Sequence, residues 1–346
     1  MPVTHWELAY RVFDTLIAAL RRHAYPYDVA TRVYSKETLP RTLEPGGVEE
    51  ANFLLAVCCY MRGNIRSDVA FNGLANLYDK HRELFDPKQI NCQPLAMARL
   101  LEKELTERRF TRIEEVCRQW IDNFIKLDRF WDGDATELFA DADYETLCER
   151  FICRPVGKFN PNHPDGFRGF REKMVSMVAF YFVKAGLAVP MSMPIPIDFH
   201  AMRIIISNGL ITIPGAPDDY DLWSEKMSAT ARELTQRYCR DRGINPTELC
   251  DTTWFLSSVA CRRHPGNRSI VTKEWQGDRL RTIEVIPWAV RWTKQDIMTY
   301  RSTCGRCPIE ETCRWLAPSA PHYRLGKLQI RGPRGKPPQL ALFGGL

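Results

Sequence analysis

Three cysteines stand close together in the segment CGRCPIEETCRW. Cys304, Cys307 and Cys313 follow the spacing C-x2-C-x5-C, which allows three thiolates to reach one metal centre. A four-coordinate site needs one more ligand, and no candidate lies beside them in the sequence. The chain has twelve cysteines, and we expect a cytosolic protein to use clustered cysteines as metal ligands rather than in disulfides.

Two charged residues begin predicted helices. Lys173 lies in the first turn after the glycine-containing segment FRGFRE, and Asp198 opens the segment PIDFHAMRI. A helix N-terminus in mainly apolar surroundings disfavours the protonated form of a lysine, through the helix dipole and through desolvation. Each residue also has a purely structural reading, since first-turn lysines are commonly solvated and aspartate is a good N-cap.

The elements that must position these residues are mostly helices. Apolar residues recur at helical spacing from THWELAYRVFDTL through EEANFLLAVCCYM to DYETLCERFI, which indicates an all-α pattern with short loops. The prolines of AVPMSMPIPID exclude a helix there. Residues 268–288 alternate in polarity around a Gly-Asp turn and predict a β-hairpin.

The charge of the chain is unevenly distributed. The formal net charge is +6, and residues 262–346 hold 16 basic and 6 acidic residues, or +10, so residues 1–261 carry −4. A basic, aromatic-rich region of this kind suits a polyanion such as DNA, although charge alone is equally compatible with a soluble basic face. The first residues lack a secretory signal pattern, and we find no membrane span, so we expect a cytoplasmic protein.

The order of turn-lysine, aspartate and cysteine cluster resembles the helix-hairpin-helix DNA glycosylases of the endonuclease III type. Those proteins carry a hairpin like L-P-G-V-G-x-K-T-A, then V-D-T-H-V, then a four-cysteine loop holding a [4Fe-4S] cluster. FLLAVCCYMRGNIRSDV is similar to an early buried helix of the family. The resemblance covers roughly residues 50–315.

The resemblance implies a role for each matching residue. Lys173 takes the place of the Schiff-base nucleophile and Asp198 that of the catalytic carboxylate. Gly169 takes the place of the first hairpin glycine, Arg171 stands where the second is expected, and Arg62 stands where the family has a glutamine. We therefore expect Gly169, Arg171 and Arg62 to contact DNA. Asp198 follows Lys173 by 25 positions, more than in the family.

The resemblance also suggests where the fourth ligand is. The family loop reads C-x6-C-x2-C-x5-C, but position 297 holds isoleucine, so we assign Cys261, at the end of the helix-like segment DTTWFLSSVAC, across an insertion of 42 residues. Cys250 and Cys239 are the alternatives. The site holds either a [4Fe-4S] cluster, which the family context favours, or zinc. Its loop would offer Arg262, Arg263 and Arg306 to backbone phosphates.

The C-terminal tail carries a second resemblance. QLALF, residues 339–343, is similar to the bacterial sliding-clamp motif Q-L-S/D-L-F, with Gln339 as the hydrogen-bonding residue and Leu340, Leu342 and Phe343 as the apolar contacts. Packing of the tail on its own domain is the alternative reading. The tryptophans in the insertion also have two interpretations, as side chains that stack on DNA or as the core of the hairpin.

Together these features predict a mainly α, two-domain helix-hairpin-helix DNA glycosylase fold, with a cleft between the domains and a β-hairpin inserted in the cluster loop. Residues 47–186 would form a helical bundle ending in the hairpin motif. Residues 1–46 and 187–317 would form a second helical domain, with the insertion at 262–303, and residues 318–346 a flexible basic tail. We expect a monomer that acts on double-stranded DNA near the nucleoid. The alternative is a non-catalytic, clamp-associated DNA-binding module.

Overall fold

The computed structural model describes residues 1–28, 38–61, 67–108, 110, 112–212, 219–220, 225–261, 270–276, 279–286, 294–313 and 328–330. The chain forms two compact units, of which unit 1 comprises Met1–Thr31 with Ile197–Leu346, and unit 2 comprises Arg32–Pro196. The boundaries expected from the sequence were 46/47 and 186/187. The structure differs from this expectation in residues 32–46 and 187–196, which belong to unit 2. No helix in the described residues is long and apolar enough to cross a bilayer.

The structure is mainly helical, as the hydrophobic pattern predicts. In chain order its helices are α1 (Trp6–Arg21), α2 (Val48–Tyr60), α3 (Ser67–Lys80), α4 (Pro87–Cys92), α5 (Pro94–Glu107), α6 (Ile113–Trp131), α7 (Tyr144–Phe151), α8 (Glu172–Ala185), α9 (Phe199–Ser207), α10 (Glu225–Arg242), α11 (Pro246–Phe255) and α12 (Lys294–Ser302).

Unit 2 is built around α2, which is apolar on every side and buried from Glu50 to Tyr60. Helices α3, α6 and α8 pack against it. An aromatic core fills the space, with neighbouring ring centroids about 5–6.5 Å apart, and its members include Phe53, Phe71, Tyr78, Phe85, Trp120 and Phe124. Burial of side chains of this size is the main favourable term in the stability of the unit.

Two buried asparagines of unit 2 hold irregular backbone. Asn123 of α6 receives the Arg168 N–H on Oδ1 at 2.6 Å and donates Nδ2 to the Arg168 carbonyl at 3.1 Å. Asn52 of α2 similarly receives the Ala135 N–H and donates to the Gly133 carbonyl. Each amide replaces the backbone pairing that a loop lacks, so a loop can pack closely on a helix without unpaired polar groups.

Unit 1 joins the N-terminal helix to the C-terminal part of the chain. Helices α1, α9 and α10 all contact α11. Strand β1 (Val3–Thr4) pairs antiparallel with β2 (Ile211–Thr212), and the Tyr238 hydroxyl donates to Asp14 Oδ1 at 3.0 Å. Helix α11 ends at Phe255 and continues as one wider turn, a π-helix from Leu256 to Ala260.

The predicted hairpin is present. Strands β4 (Ile270–Gln276) and β5 (Arg279–Ile286) pair antiparallel, with Gln276 opposite Arg279. Two short strands, β3 (Asp219–Tyr220) and β6 (Leu328–Ile330), extend the sheet in the order β3-β6-β5-β4. The expectation of a wholly flexible tail was therefore wrong for residues 328–330, since the free edge of β5 pairs with them in parallel.

We expect Asn123→Ala to lower the free energy of unfolding by about 2 kcal/mol, because the Arg168 N–H and carbonyl lose their partner in a partly buried position. Denaturant titration followed by circular dichroism measures this. Asn91→Ala is the matched control: its amide donates only to the Asp128 carboxylate at 2.8 Å, and we expect a loss of less than about 1 kcal/mol. Equal losses in the two variants would contradict the role assigned to Asn123.

Candidate metal centre and hairpin site

Four cysteines line one small cavity in unit 1. They are Cys261, Cys304, Cys307 and Cys313, the four ligands proposed from the sequence. The rest of the cavity wall is mostly apolar and comes from α9, the π-helical turn and the cysteine loop, through Ile204, Ser207, Asn208, Leu256, Ala260, Ile309 and Glu310. The alternative ligands Cys239 and Cys250 do not line it.

The cysteine loop is held by its own backbone and by α9. Cys304–Arg306 form one 3-10 turn, in which the Cys307 N–H donates to the Cys304 carbonyl at 2.9 Å. The Cys313 N–H bonds to the Ile309 and Glu310 carbonyls. The Thr312 hydroxyl then donates to Asn208 Oδ1 at 2.8 Å, just beyond the end of α9. These bonds present three thiols on one side of the loop.

Burial strongly affects the cysteine thiols. Desolvation is the main cause that raises the pKa of Cys261 to about 12; the Arg203 guanidinium opposes the shift and Cys313 adds to it. Burial likewise raises the pKa of Cys304 and of Cys307, and the neighbouring cysteines add to it. Thiolates can collect in such a place only if a cation balances their charge.

The donor set suits a thiophilic centre. Four thiol sulfurs with apolar surroundings are the ligands that iron-sulfur clusters and structural zinc take. Among the described residues, no group of three His, Cys, Asp or Glu side chains has the geometry of a metal site. The chemistry of the four thiols fits both alternatives, a cluster and zinc.

A buried arginine of α9 bonds to the π-helical turn that precedes Cys261. Arg203 is 1% exposed, and its Nη1 donates to the carbonyl and hydroxyl oxygens of Ser257 at 2.8 and 3.0 Å. His200 Nδ1 lies 2.9 Å from the same hydroxyl. Because Ser257 belongs to the π-helical turn that leads to Cys261, one polar network joins the first cysteine to the helix that follows Asp198.

Asp198 is the N-cap of α9. Its Oδ1 accepts the backbone N–H groups of His200 and Ala201 at 2.8 and 3.0 Å, and the residue is half-buried. The structural reading of this residue is thus correct. Oδ1 therefore anchors the start of the helix, and among the described residues Oδ2 accepts no hydrogen bond.

The hairpin turn lies in unit 2. Gly169 has φ +82°, a left-handed conformation that glycine adopts without strain, and Arg171 is the extended N-cap of α8. Arg171 is exposed, whereas Lys173, in the first turn of α8, is half-buried. The segment is thus a glycine-containing turn that leads into the buried helix α8. Lys173 belongs to unit 2 and Asp198 to unit 1.

Arg306 has a structural role that the sequence did not indicate. Its guanidinium lies 4.5 Å from the centre of the Tyr25 ring, and Nη2 lies 3.4 Å from Asp28 Oδ2. Burial is the main cause that raises the pKa of Tyr25 to about 12; the adjacent Cys304 and Cys307 contribute to the rise and Arg306 opposes it. The arginine remains exposed, so it fastens the N-terminal segment to the cysteine loop and can still face solvent.

Several predicted contacts lie outside the described residues. They are Arg62, Arg262 and Arg263 among the expected DNA contacts, and the clamp motif residues Gln339, Leu340, Leu342 and Phe343.

Sequence reasoning missed Arg203, Asn123 and Lys126. Lys126 is 1% exposed and donates to the Asp165 and Gly166 carbonyls at 2.9 and 2.6 Å, and burial lowers its pKa to about 8. The available signal was a charged or amide residue at a core position of an amphipathic helix, since such a residue must have a buried partner.

The sequence matches no protein-family model, and no curated protein sequence matches it.

Proposed function

We propose that the protein is a DNA glycosylase that removes a damaged or modified base, with a Schiff-base AP-lyase activity, and that its four cysteines hold a [4Fe-4S] cluster. The observation that carries the proposal is the construction of unit 1. One nine-residue helix, α9, has Asp198 as its N-cap and contributes Ile204 and Ser207 to the wall of the four-cysteine cavity at its other end.

The chemistry assigned to Asp198 follows from its position. Breaking an N-glycosidic bond builds positive charge on the sugar, and a fixed carboxylate stabilises that charge as it develops. Oδ1 is held by two backbone amides, so Oδ2 has a fixed direction and needs no reorganisation during the reaction. The target base must leave the stack to reach such a group, which costs a few kcal/mol.

The chemistry assigned to Lys173 is nucleophilic. The neutral amine attacks C1′ of the sugar, the C1′–N bond to the base breaks, and the base departs with the bonding electrons and takes up a proton. Breakage of the C1′–O4′ bond with protonation of O4′ opens the ring to a Schiff base, and loss of a C2′ proton then eliminates the 3′ phosphate. Lys173 is half-buried in the first turn of α8. Arg171, exposed beside it, supplies a guanidinium for a backbone phosphate.

The cysteine site is proposed to be structural. A cluster bound there would supply no chemistry to the base; it would bind Cys261 and the 304–313 loop together across the insertion. The buried Arg203 would offset part of the negative charge of four thiolates. Through Ser257 the same arginine would fix the orientation of α9, and therefore of Asp198.

Borohydride trapping tests the lyase proposal. We expect the wild-type protein to cross-link to abasic-site DNA under borohydride, because reduction fixes a Schiff base, and Lys173→Ala to abolish the cross-link. Lys184→Ala, in the last turn of the same helix, is the matched control and should cross-link like wild type. If wild type never cross-links, the lyase proposal is wrong, and base release by Asp198 and water, or binding without catalysis, takes its place.

Asp198→Asn separates the two roles of this residue. Asparagine caps a helix about as well as aspartate, so we expect the free energy of unfolding to change by less than about 0.5 kcal/mol. Base release should slow on the order of 100-fold or more, because the charge opposite the sugar is lost. Single-turnover release from a modified oligonucleotide measures the rate. A variant as fast as wild type would contradict the catalytic assignment.

The metal content tests the cysteine site. We expect purified protein to be brown, with broad visible absorbance and about four irons per chain. Cys261→Ser should lose most of the iron, whereas Cys250→Ser, whose cysteine does not line the cavity, should keep it. A colourless protein with one bound zinc would show that the zinc alternative is right. Full iron content in Cys261→Ser would show that the fourth ligand was misassigned.

A further inference from the structure

The connection between α7 and α8 contains a closed surface loop that the proposed chemistry does not use. The Gly166 N–H donates to the Arg150 carbonyl at 2.8 Å, and the Phe167 N–H donates to the Phe151 carbonyl at 2.9 Å. These two bonds bring the ends of residues 152–165 together. Compact loops of this size with close ends are frequently functional. We refer to residues 152–165 as the 152–165 loop.

The base of the loop is rigid. Phe159 lies between two cations, with Lys126 Nζ at 4.6 Å and the Arg168 guanidinium at 4.4 Å from its ring centre. Arg168 also forms an ion pair with Asp122. A Cβ added at Gly166 would approach the Cys153 Cα to 2.9 Å, so the two ends of the loop are in close contact. The loop is therefore a fixed projection from α6, α7 and α8.

The tip of the loop presents one apolar side chain. The Lys158 N–H donates to the Pro155 carbonyl at 2.9 Å and Gly157 has φ +82°, which are the features of a type II turn. Val156 occupies the second position of this turn and is 62% exposed. Proline on one side and the hydrogen-bonded glycine turn on the other hold it outward.

Positive charge flanks this side chain. Arg154 and Lys158 are exposed on either side of the turn, and residues 154–164 contain no Asp or Glu. Within the described part of the chain, Arg154 forms one ion pair, with Glu149 at 3.8 Å. Both side chains are well exposed, so the pair is weak and a phosphate can replace it. Four residues after the loop stands Gly169, in the turn to which we assign a backbone phosphate.

We propose that the 152–165 loop is a second DNA-contacting element, in which Val156 enters a groove as a wedge against the base stack while Arg154 and Lys158 hold the phosphates on either side. The assignment rests on the proposed function for its partner. Apolar wedges flanked by basic residues open a base step and bend the duplex, and the cost of unstacking is offset by the added contacts. A bent, partly unstacked duplex is the form from which a base leaves most easily.

Salt dependence of binding tests the two cations. The probe is a duplex with one tetrahydrofuran abasic-site analogue, and anisotropy gives the affinity at several salt concentrations. Arg154→Ala with Lys158→Ala should make the slope of log affinity against log salt shallower by about 1.8, since each lost phosphate contact contributes about 0.9. Lys88→Ala with Lys103→Ala, an equal change in charge elsewhere in unit 2, should leave the slope unchanged.

Fluorescence of 2-aminopurine beside the analogue tests the wedge. Wild type should raise the fluorescence by unstacking the probe, Val156→Ala should remove most of the rise and weaken binding about 3- to 10-fold, and Val156→Leu should restore both. The salt slope should not change in either variant.

The outcomes separate this assignment from the proposed function. Suppose that the wild type cross-links to abasic DNA. If the double cation variant then keeps the wild-type slope, or Val156→Ala keeps the full fluorescence rise, the result contradicts the loop assignment alone. If the wild type neither cross-links nor releases a base, and its binding to the duplex does not depend on the loop, the result contradicts both the loop assignment and the proposed function.

Discussion

The burial of cysteine thiols around one cavity is the constraint on which unit 1 depends. Burial raises the pKa of Cys261, Cys304 and Cys307, so a chain without a counter-charge would hold neutral thiols, loosely apposed. One fixed counter-charge is already present, the buried Arg203. A metal centre would supply the remainder, and its binding energy would then become folding energy for a loop that has little apolar surface of its own. The 42 residues between Cys261 and Cys304 could vary freely in such a design, because both ends are tied at the same place.

In unit 2 the main constraint is different: irregular backbone must be held against a helical core. Polar side chains from buried helix positions hold it there. Asp122, Asn123 and Lys126 of α6 fix the segment from Asp165 to Arg168. They contact the carbonyls of Asp165, Gly166 and Arg168, the Arg168 N–H and the Arg168 guanidinium. An ammonium group that donates to two carbonyls is expensive to bury and would not be replaced easily by a neutral side chain. The result is a turn whose shape is set before any ligand binds, which is the condition for precise contact with a phosphate or a sugar.

Helical periodicity was enough to predict the mainly α architecture, and the proline-rich segment before Asp198 and the β4–β5 hairpin were predicted as well. The grouping of Cys261 with the distant cysteines came from the family resemblance, through its position at the end of a helix-like segment. The family spacing itself failed at position 297, and the 42 intervening residues carry no positional information. The structure adds what short-range patterns cannot contain. In the sequence, Arg203 only interrupts an apolar helix. The structure shows that its partner is Ser257, 54 residues later. Likewise, the sequence of Leu328–Ile330 predicts a disordered tail, whereas in the structure these residues pair with the edge of β5. Contacts of this kind depend on tertiary packing, which overrides local propensity.

In helix α9, the N-cap role of Asp198 is compatible with the catalytic role that we propose for it. An N-cap needs one acceptor oxygen, and a carboxylate has two, so capping by Oδ1 leaves Oδ2 without any cost to the helix. The cap also fixes the carboxylate relative to the helix axis, and the Arg203–Ser257 contact fixes the helix relative to the turn before Cys261. Over nine residues the helix is about 13 Å long, so a carboxylate at one end and a cysteine-lined cavity at the other are joined by a single rigid element. A metal centre at that distance would take no part in bond breaking, but its loss would release the end of the helix that sets the direction of Oδ2. Structural metal and catalytic carboxylate would then be coupled through geometry alone.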